Sequence, residues 1–95
     1  MTQVPKAPDF KHVEALRKHM LLTVTHMAKL LDVSRITYSG WVNGKAIRKT
    51  NIVKVRRRLK QMLAEVETGW PQPEVIAMTG AQRAKVLLER LSQVT

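Results

Sequence analysis

Apolar residues recur at spacings of three and four along most of the chain, a pattern that predicts amphipathic α-helices. The first such run follows Asp9, whose side chain can cap a helix, and it contains Phe10, Val13, Leu16 and Met20 and continues to about Leu22. Residues 1–8 contain two prolines and are predicted to form a flexible arm. The pattern therefore predicts an arm followed by a helix over residues 10 to 22.

Two short helices joined by a tight turn are predicted over residues 25–45. Thr25 can cap the first of them, which runs to Leu31, and Ser34 can cap the second. Between them, Asp32 lies where the turn favours a left-handed backbone, a conformation that Asp tolerates better than most residues. The second helix is expected to stop at the sequence Asn-Gly-Lys that ends the segment.

Small and aromatic residues in this segment indicate how the two helices meet. Ala28 is small enough to let two short helices cross closely. Tyr38 and Trp41 are three residues apart and so share the inward face of the second helix, whose remaining surface is left free for a partner. The segment is therefore predicted to be a helix-turn-helix.

A longer fourth helix is predicted to begin at a cap formed by Thr50 or Asn51 and to end near Gly69. Its predicted inward stripe has helical spacing and consists of Ile52, Val55, Leu59, Met62, Leu63 and Val66. Much of its remaining surface is basic, and three consecutive arginines, Arg56–Arg58, lie in its middle. Because consecutive helical residues point in different directions, at most one or two of these arginines can face one duplex.

A proline-rich break over residues 69–73 precedes the last part of the chain. Val75–Met78 is too short to assign, whereas Thr79 and Gln82 have the spacing of a capping box. A last helix ending near Gln93 then follows, with an apolar stripe of Ala84, Leu87, Leu88 and Leu91. Residues 70–95 are expected to form a helical extension that completes the core or makes a dimer interface. The predicted fold is all-α, a compact bundle of about five helices, with a helix-turn-helix domain over residues 9–69.

The composition favours one intracellular domain. The chain has 95 residues and no cysteine, which suits a single modest core in a reducing compartment. No apolar run approaches the roughly 18 residues that span a bilayer, and the N-terminus lacks a signal pattern. We therefore expect a soluble, cytoplasmic protein that is not inserted in a membrane.

Positive charge is concentrated in the first two-thirds of the chain. Residues 1–60 contain 14 of the 17 Lys and Arg against three acidic residues, a balance of +11. Residues 61–95 contain three basic and four acidic residues, a balance of −1, which gives the net +10. Clustered cations bind polyanions by releasing counterions, so this distribution favours a nucleic-acid partner, with an anionic membrane surface or an acidic protein as alternatives.

Residues 10–67 resemble the first four helices of the Cro and phage-repressor family of helix-turn-helix proteins. Ala28 matches the small residue at which the two helices cross, and Val33 matches the apolar residue of the turn. Trp41 matches the last core position of the second helix, which in this family is the recognition helix. Asn43-Gly44-Lys45 matches the family's exit, the sequence that follows this helix. The chain differs from the family by Asp32 in place of glycine, by Tyr38 in place of a branched aliphatic residue and by the lack of a proline after the exit. Residues 70–95 match nothing in the family.

The resemblance implies a sequence-specific regulator, of the kind that phages and mobile elements encode, bound as a homodimer to double-stranded DNA. In such folds the start and outward face of the recognition helix read bases in the major groove. The base-reading candidates are Arg35, Ile36, Thr37 and Gly40, among which Arg35 suits a guanine edge and Ile36 a thymine methyl. The phosphate-binding candidates are His26, Ser34, Ser39, Asn43, Lys45, Arg48 and Lys49.

Other chemistry is not favoured by the sequence. His12, His19 and His26 are seven residues apart and lack the close pairs of helical metal sites, so neither a metal nor a cofactor is expected. No nucleophile–base pair, paired carboxylates or glycine-rich phosphate loop is visible, so we expect no enzyme activity. Two alternatives to DNA binding remain. The scaffold could bind and inhibit an acidic host protein, or helix 52–67 could attach weakly to anionic lipid.

Overall fold

The structure is a computed structural model that describes residues 6–93. These residues form six α-helices and no strand: α1 (Phe10–His19), α2 (Val24–Leu30), α3 (Arg35–Val42), α4 (Lys49–Glu67), α5 (Pro73–Ile76) and α6 (Gly80–Ser92). The predicted all-α fold is confirmed. The additional helix is α5, a single turn that begins at the end of the predicted break and overlaps the first half of the unassigned stretch Val75–Met78.

Three helices begin at the predicted caps. The side chain of Asp9 accepts a hydrogen bond from the Lys11 amide at 2.9 Å, and that of Ser34 accepts one from the Thr37 amide at 3.1 Å. Before α6, the Thr79 hydroxyl accepts from the Gln82 amide while the Gln82 side chain accepts from the Thr79 amide. This reciprocal pair is the predicted capping box.

The predicted caps of α2 and α4 are wrong. α2 is capped by Thr23, whose hydroxyl accepts from the His26 amide at 3.1 Å, so Thr25 lies inside the first turn. The sequence has a threonine at both positions, and the left-handed turn at Leu21, just before Thr23, decides between them. α4 begins after Arg48, which makes no side-chain cap bond, so Thr50 and Asn51 lie within the helix.

Left-handed residues separate the first four helices and end α4. Asp32 has φ 58°, as predicted for the turn, and Gly44 and Gly69 have φ 100° and 111°. Leu21, with φ 62°, ends α1 earlier than the predicted residue 22. A left-handed leucine costs about 1–2 kcal/mol, and contacts from residues far along the chain hold it in place.

One buried cluster receives residues from all six helices. Its largest fully buried side chains include Tyr38, Met20, Met27 and Met62, together with Trp70 from the segment after α4. The inward stripe of α4 is confirmed for Ile52, Val55, Leu59 and Met62, and Val66 packs at the edge of the core. Leu63 is wrongly included, since it is 51% exposed. Adjacent residues on a helix point about 100° apart, so Leu63 turns away where Met62 turns inward.

Residues 70–93 hold the end of α1. The buried indole of Trp70 donates to the Met20 carbonyl at 3.1 Å. The guanidinium of Arg83 donates to the carbonyls of Leu21, Val75, Ile76 and Met78 at distances of 2.8–3.1 Å. The guanidinium of Arg90 lies 5.3 Å from the Trp70 ring centroid and 3.5 Å from a Glu65 carboxylate oxygen. The C-terminal segment thus completes the core of its own chain.

Part of the predicted N-terminal arm, residues 1–5, lies outside the described residues, as do residues 94–95 of the C-terminal extension. Of the remainder, the Lys6 carbonyl accepts a hydrogen bond from Arg56 on α4 at 2.9 Å, and Pro8 is half-buried. Across residues 6–93, every helix is either too short or too polar to cross a membrane.

Candidate nucleic-acid interface

Aromatic packing fixes the inner face of α3 against α1. Tyr38 and Trp41 are buried, with 0% and 5% exposure. The Phe10 ring centroid lies 6.3 Å from that of Tyr38, edge to face, and 5.5 Å from that of Trp41. Such pairs contribute about 0.5–1.5 kcal/mol beyond their buried area. The inward positions predicted for Tyr38 and Trp41 are confirmed.

A polar network that the sequence did not reveal anchors the same face. The Tyr38 hydroxyl donates to Glu14 Oε2 at 2.5 Å, and Arg17 donates to both Glu14 oxygens at 2.6 and 3.0 Å. Arg17 also donates to the Leu22 carbonyl at 2.8 Å. The hydrogen bond from Arg17 lowers the pKa of Glu14, whereas burial and the neighbouring Glu14 raise the pKa of the Tyr38 phenol. The three-residue spacing of Glu14 and Arg17 suggests a pair, but the sequence contains no sign that Tyr38 joins it.

The turn between α2 and α3 is held from α4. Lys54 Nζ donates to the Asp32 backbone carbonyl at 2.9 Å and lies 3.7 Å from the Asp32 carboxylate. Val33 packs at the edge of the core beneath the turn. The start of α3 is therefore fixed by the turn as well as by the α1 contacts.

The first turn of α3 presents its side chains to solvent. Ile36 is 83% exposed, the highest value among the large apolar residues of the described chain, and Arg35 and Thr37 on either side are also exposed. Ser39, Gly40 and Asn43 follow Ile36 at three, four and seven residues, so they continue the same outward face.

Ser34 and Thr37 are linked through their hydroxyl groups. Ser34 Oγ accepts from the Thr37 amide and donates to Thr37 Oγ1 at 2.8 Å. Its hydroxyl proton is therefore already used. The Thr37 hydroxyl proton remains free to donate outward, because a hydroxyl has one donor and two acceptor sites.

A groove of about 450 Å³ brings five of the predicted residues together. It is lined by Ile36, Thr37, Gly40, Trp41, Lys45, Ala46, Arg48 and Asn51. Lys45 folds back across α3, since a Cβ atom at Gly40 would lie only 3.0 Å from Lys45 Cδ. The absence of a side chain at Gly40 thus makes room for the Lys45 stem. Asn51 was not predicted to lie here, because the sequence pattern suggested it only as a cap of α4.

Arg35 lies in a neighbouring depression, which it lines together with Lys29, Asp32 and Ser34. Lys29 was not among the predicted residues, although a lysine in the last turn of the helix before Asp32 was a usable signal. Asn43 and Lys49 are exposed at the end of α3 and the start of α4.

His26 stands apart from the other predicted residues. Its ring packs beside Gly80 at the start of α6, with Cε1 3.6 Å from where a Cβ of that glycine would lie. Its Nδ1 is buried without a hydrogen-bond partner among the described residues. It lines a depression between α2 and α6 with Leu30, Ala84 and Leu88, not the groove beside α3. Within residues 6–93, no three His, Cys, Asp or Glu side chains are grouped as a metal ion would require.

Comparison with known proteins yields no relative. The sequence matches no protein-family model, and neither a curated protein nor a solved structure is significantly similar to it.

Proposed function

We propose that the protein is a sequence-specific, double-stranded DNA-binding regulator in which α2 and α3 act as a helix-turn-helix. The observation that carries the proposal is the exposed first turn of α3, on a helix whose inner face is fixed by Tyr38 and Trp41. A large aliphatic residue that is 83% exposed between an arginine and a threonine favours a helix that meets a partner. The major groove of DNA is wide enough to admit an α-helix.

Roles in this proposal follow from chemistry and position. Arg35 suits bidentate donation to guanine O6 and N7, and Ile36 suits contact with a thymine methyl. Thr37 has a free hydroxyl proton for a base or phosphate acceptor. Gly40 makes room for Lys45, and Lys45, Arg48 and Lys49 supply positive charge beside the backbone. Ser39 and Asn43 extend the same outward face, and Ser34 serves mainly as the cap.

In this proposal the protein regulates by occupancy. A protein bound over a promoter excludes polymerase, and one bound upstream can recruit it. A homodimer would bind an operator with two-fold symmetry, with half-sites about one helical turn apart. The resemblance of residues 10–67 to phage repressors favours repression.

The test begins by selecting bound sequences from a random duplex pool. Operator binding should survive excess unrelated duplex, whereas loss of all binding under this competition would contradict the proposal. Salt-labile binding without sequence preference would favour a different partner for the basic surface.

Two alanine variants then separate sequence reading from phosphate binding. Arg35→Ala should cost about 1–3 kcal/mol on the selected operator and remove the preference at one base pair per half-site. Lys45→Ala should weaken all sequences alike and reduce the slope of log affinity against log salt by about 1. Lys85→Ala on α6 is the matched control and should change neither quantity. Equal losses on operator and scrambled duplex for Arg35→Ala would exclude Arg35 as a base reader.

A further inference from the structure

The exposed face of α4 carries a second basic surface, which we call the outer strip of α4: Val53, Arg56, Arg57, Lys60 and Leu63. These residues are three or four apart and so occupy one side of the helix. Asn51, which lines the groove beside α3, lies on the opposite side of the helix, and Lys54, which reaches the turn before α3, lies between the two. The proposed DNA surface therefore does not include the outer strip.

Apolar and cationic groups alternate in this strip. Val53 and Leu63 are 49% and 51% exposed. Leu63 lines a groove of about 540 Å³ together with Pro8, Arg56, Arg57, Leu59 and Lys60. Among the described residues, no carboxylate forms an ion pair with Arg56, Arg57 or Lys60. The strip thus offers aliphatic contacts together with three cations that lack an ion-pair partner.

This combination distinguishes between classes of partner. A DNA backbone would use the cations but has no apolar group for Val53 and Leu63. A membrane surface would need a larger apolar face with aromatic residues, which the strip lacks. A second copy of the chain docked by the same strip about a two-fold axis would bring like charges together.

We propose that the outer strip of α4 binds an acidic amphipathic helix of another protein. An aliphatic stripe on that helix would pack on Val53, Leu63 and the groove beside Pro8. Flanking carboxylates would pair with Arg56, Arg57 and Lys60, as in helix-in-groove recognition with complementary charge. The strip lies on the far side of α4 from α3, so this binding goes beyond the proposed function and is compatible with bound DNA.

The experiment uses the full chain and two synthetic peptides of about 18 residues, long enough to form a helix. Both contain the same leucines and glutamates. One has its leucines at helical spacings of three and four, and the other has them spread around the helix. Fluorescence anisotropy at physiological ionic strength should show binding of the striped peptide at least about tenfold tighter than that of the other. Equal affinity for the two peptides would overturn the proposal, since charge alone would then explain binding.

Variants test the location. Val53→Ala with Leu63→Ala should weaken the striped peptide about tenfold, while Ile76→Ala, at a similarly exposed residue on α5, should not. The double variant Arg57→Glu with Lys60→Glu should also bind the striped peptide more weakly. Its control is Lys11→Glu with Lys85→Glu, which makes the same change of charge elsewhere and should weaken binding less. Melting curves confirm that each variant is folded.

Two further measurements separate this inference from the proposed function. The Val53 and Leu63 variant should bind the selected operator, or any duplex, as the natural chain does. Loss of DNA affinity in that variant would place the strip in the DNA interface and overturn the proposal. The second measurement uses vesicles with anionic headgroups. If the chain bound these vesicles in preference to the striped peptide, the proposal would likewise be overturned.

Discussion

At the scale of single residues, Gly40 has two opposing effects. A glycine inside a helix destabilises it by about 1 kcal/mol relative to alanine. Here the missing side chain leaves space for Lys45, whose Cδ would lie 3.0 Å from an added Cβ. Helix stability therefore favours a side chain at this position, whereas the placement of Lys45, a candidate phosphate-binding cation, favours its absence.

Gly40→Ala should raise the free energy of unfolding by up to about 1 kcal/mol while lowering DNA affinity for all sequences. The added methyl group stabilises α3 but displaces the lysine stem, which is flexible enough to move. Chemical denaturation and a DNA titration measure the two effects. In a double-mutant cycle with Lys45→Ala, the affinity losses should not add, because both changes act on one cation. Additive losses would show that Gly40 acts separately from Lys45.

The carboxylate of Glu14 makes stability depend on pH. Its pKa is lowered in the folded protein, chiefly by the hydrogen bond from Arg17, from an ordinary value of 4.5. A lowered pKa contributes stability above the unfolded value, and this contribution is lost as the pH falls through the folded value.

Glu14→Gln should therefore lower the free energy of unfolding at pH 7 by at least about 1 kcal/mol. The difference from the natural chain should shrink as the pH falls below 4.5. Denaturation at a series of pH values measures this, with the exposed Glu89→Gln as the control. If the difference in the free energy of unfolding stayed constant down to low pH, the ionised Glu14 carboxylate would not be the source of the stability.

At the scale of helices, α6 holds α1 and α5 through one side chain. The guanidinium of Arg83 donates to carbonyls at the end of α1 and along α5, including that of the left-handed Leu21. A planar guanidinium presents five donors in a rigid fork, which a lysine cannot reproduce.

Arg83→Ala should destabilise the protein by about 1.5–3 kcal/mol, the range for hydrogen bonds to a charged group. Arg83→Lys should recover only part of this loss. Lys85→Ala, at an exposed position two residues on, should change stability by no more than about 0.5 kcal/mol. Thermal and denaturant unfolding measure all three variants, and similar stabilities for the Arg83→Ala and Lys85→Ala chains would contradict the role of Arg83.

At the scale of the whole molecule, the positive charge is concentrated in the first part of the chain, whereas the buried core contains residues from both parts. Residues 1–60 carry +11, and residues 61–95 carry −1. The core makes no such division, because Trp70, Leu87 and Leu91 are buried in the same cluster as Met20 and Tyr38.

Truncation after Gly69 should therefore unfold the protein rather than yield a folded domain. It removes a buried tryptophan and two buried leucines, and losses of this kind cost about 2–5 kcal/mol each in a domain of marginal stability. Circular dichroism should show loss of cooperative melting at every protein concentration. A truncated chain that melts cooperatively as a monomer would show that residues 70–95 serve another purpose, such as dimerisation.

The sequence by itself determined the all-α fold, the caps at Asp9 and Ser34, the capping box before α6 and the left-handed backbone at Asp32. These features depend on residues within one turn of each other. The inward faces of α3 and α4 were also predictable, except for Leu63, since periodicity identifies an apolar side. The exposure of Arg35, Ile36 and Thr37 follows from the same periodicity.

Only the tertiary structure decided how distant elements meet. The Arg83 guanidinium reaches the carbonyl of Leu21, 62 residues away, and the Tyr38 hydroxyl reaches Glu14, 24 residues away. His26 was predicted to bind phosphate beside α3, but its ring packs beside Gly80 at the start of α6. Periodicity identifies which side of a helix is buried, but it contains no information about which helix will cover that side. That choice is made by the packing of the whole core.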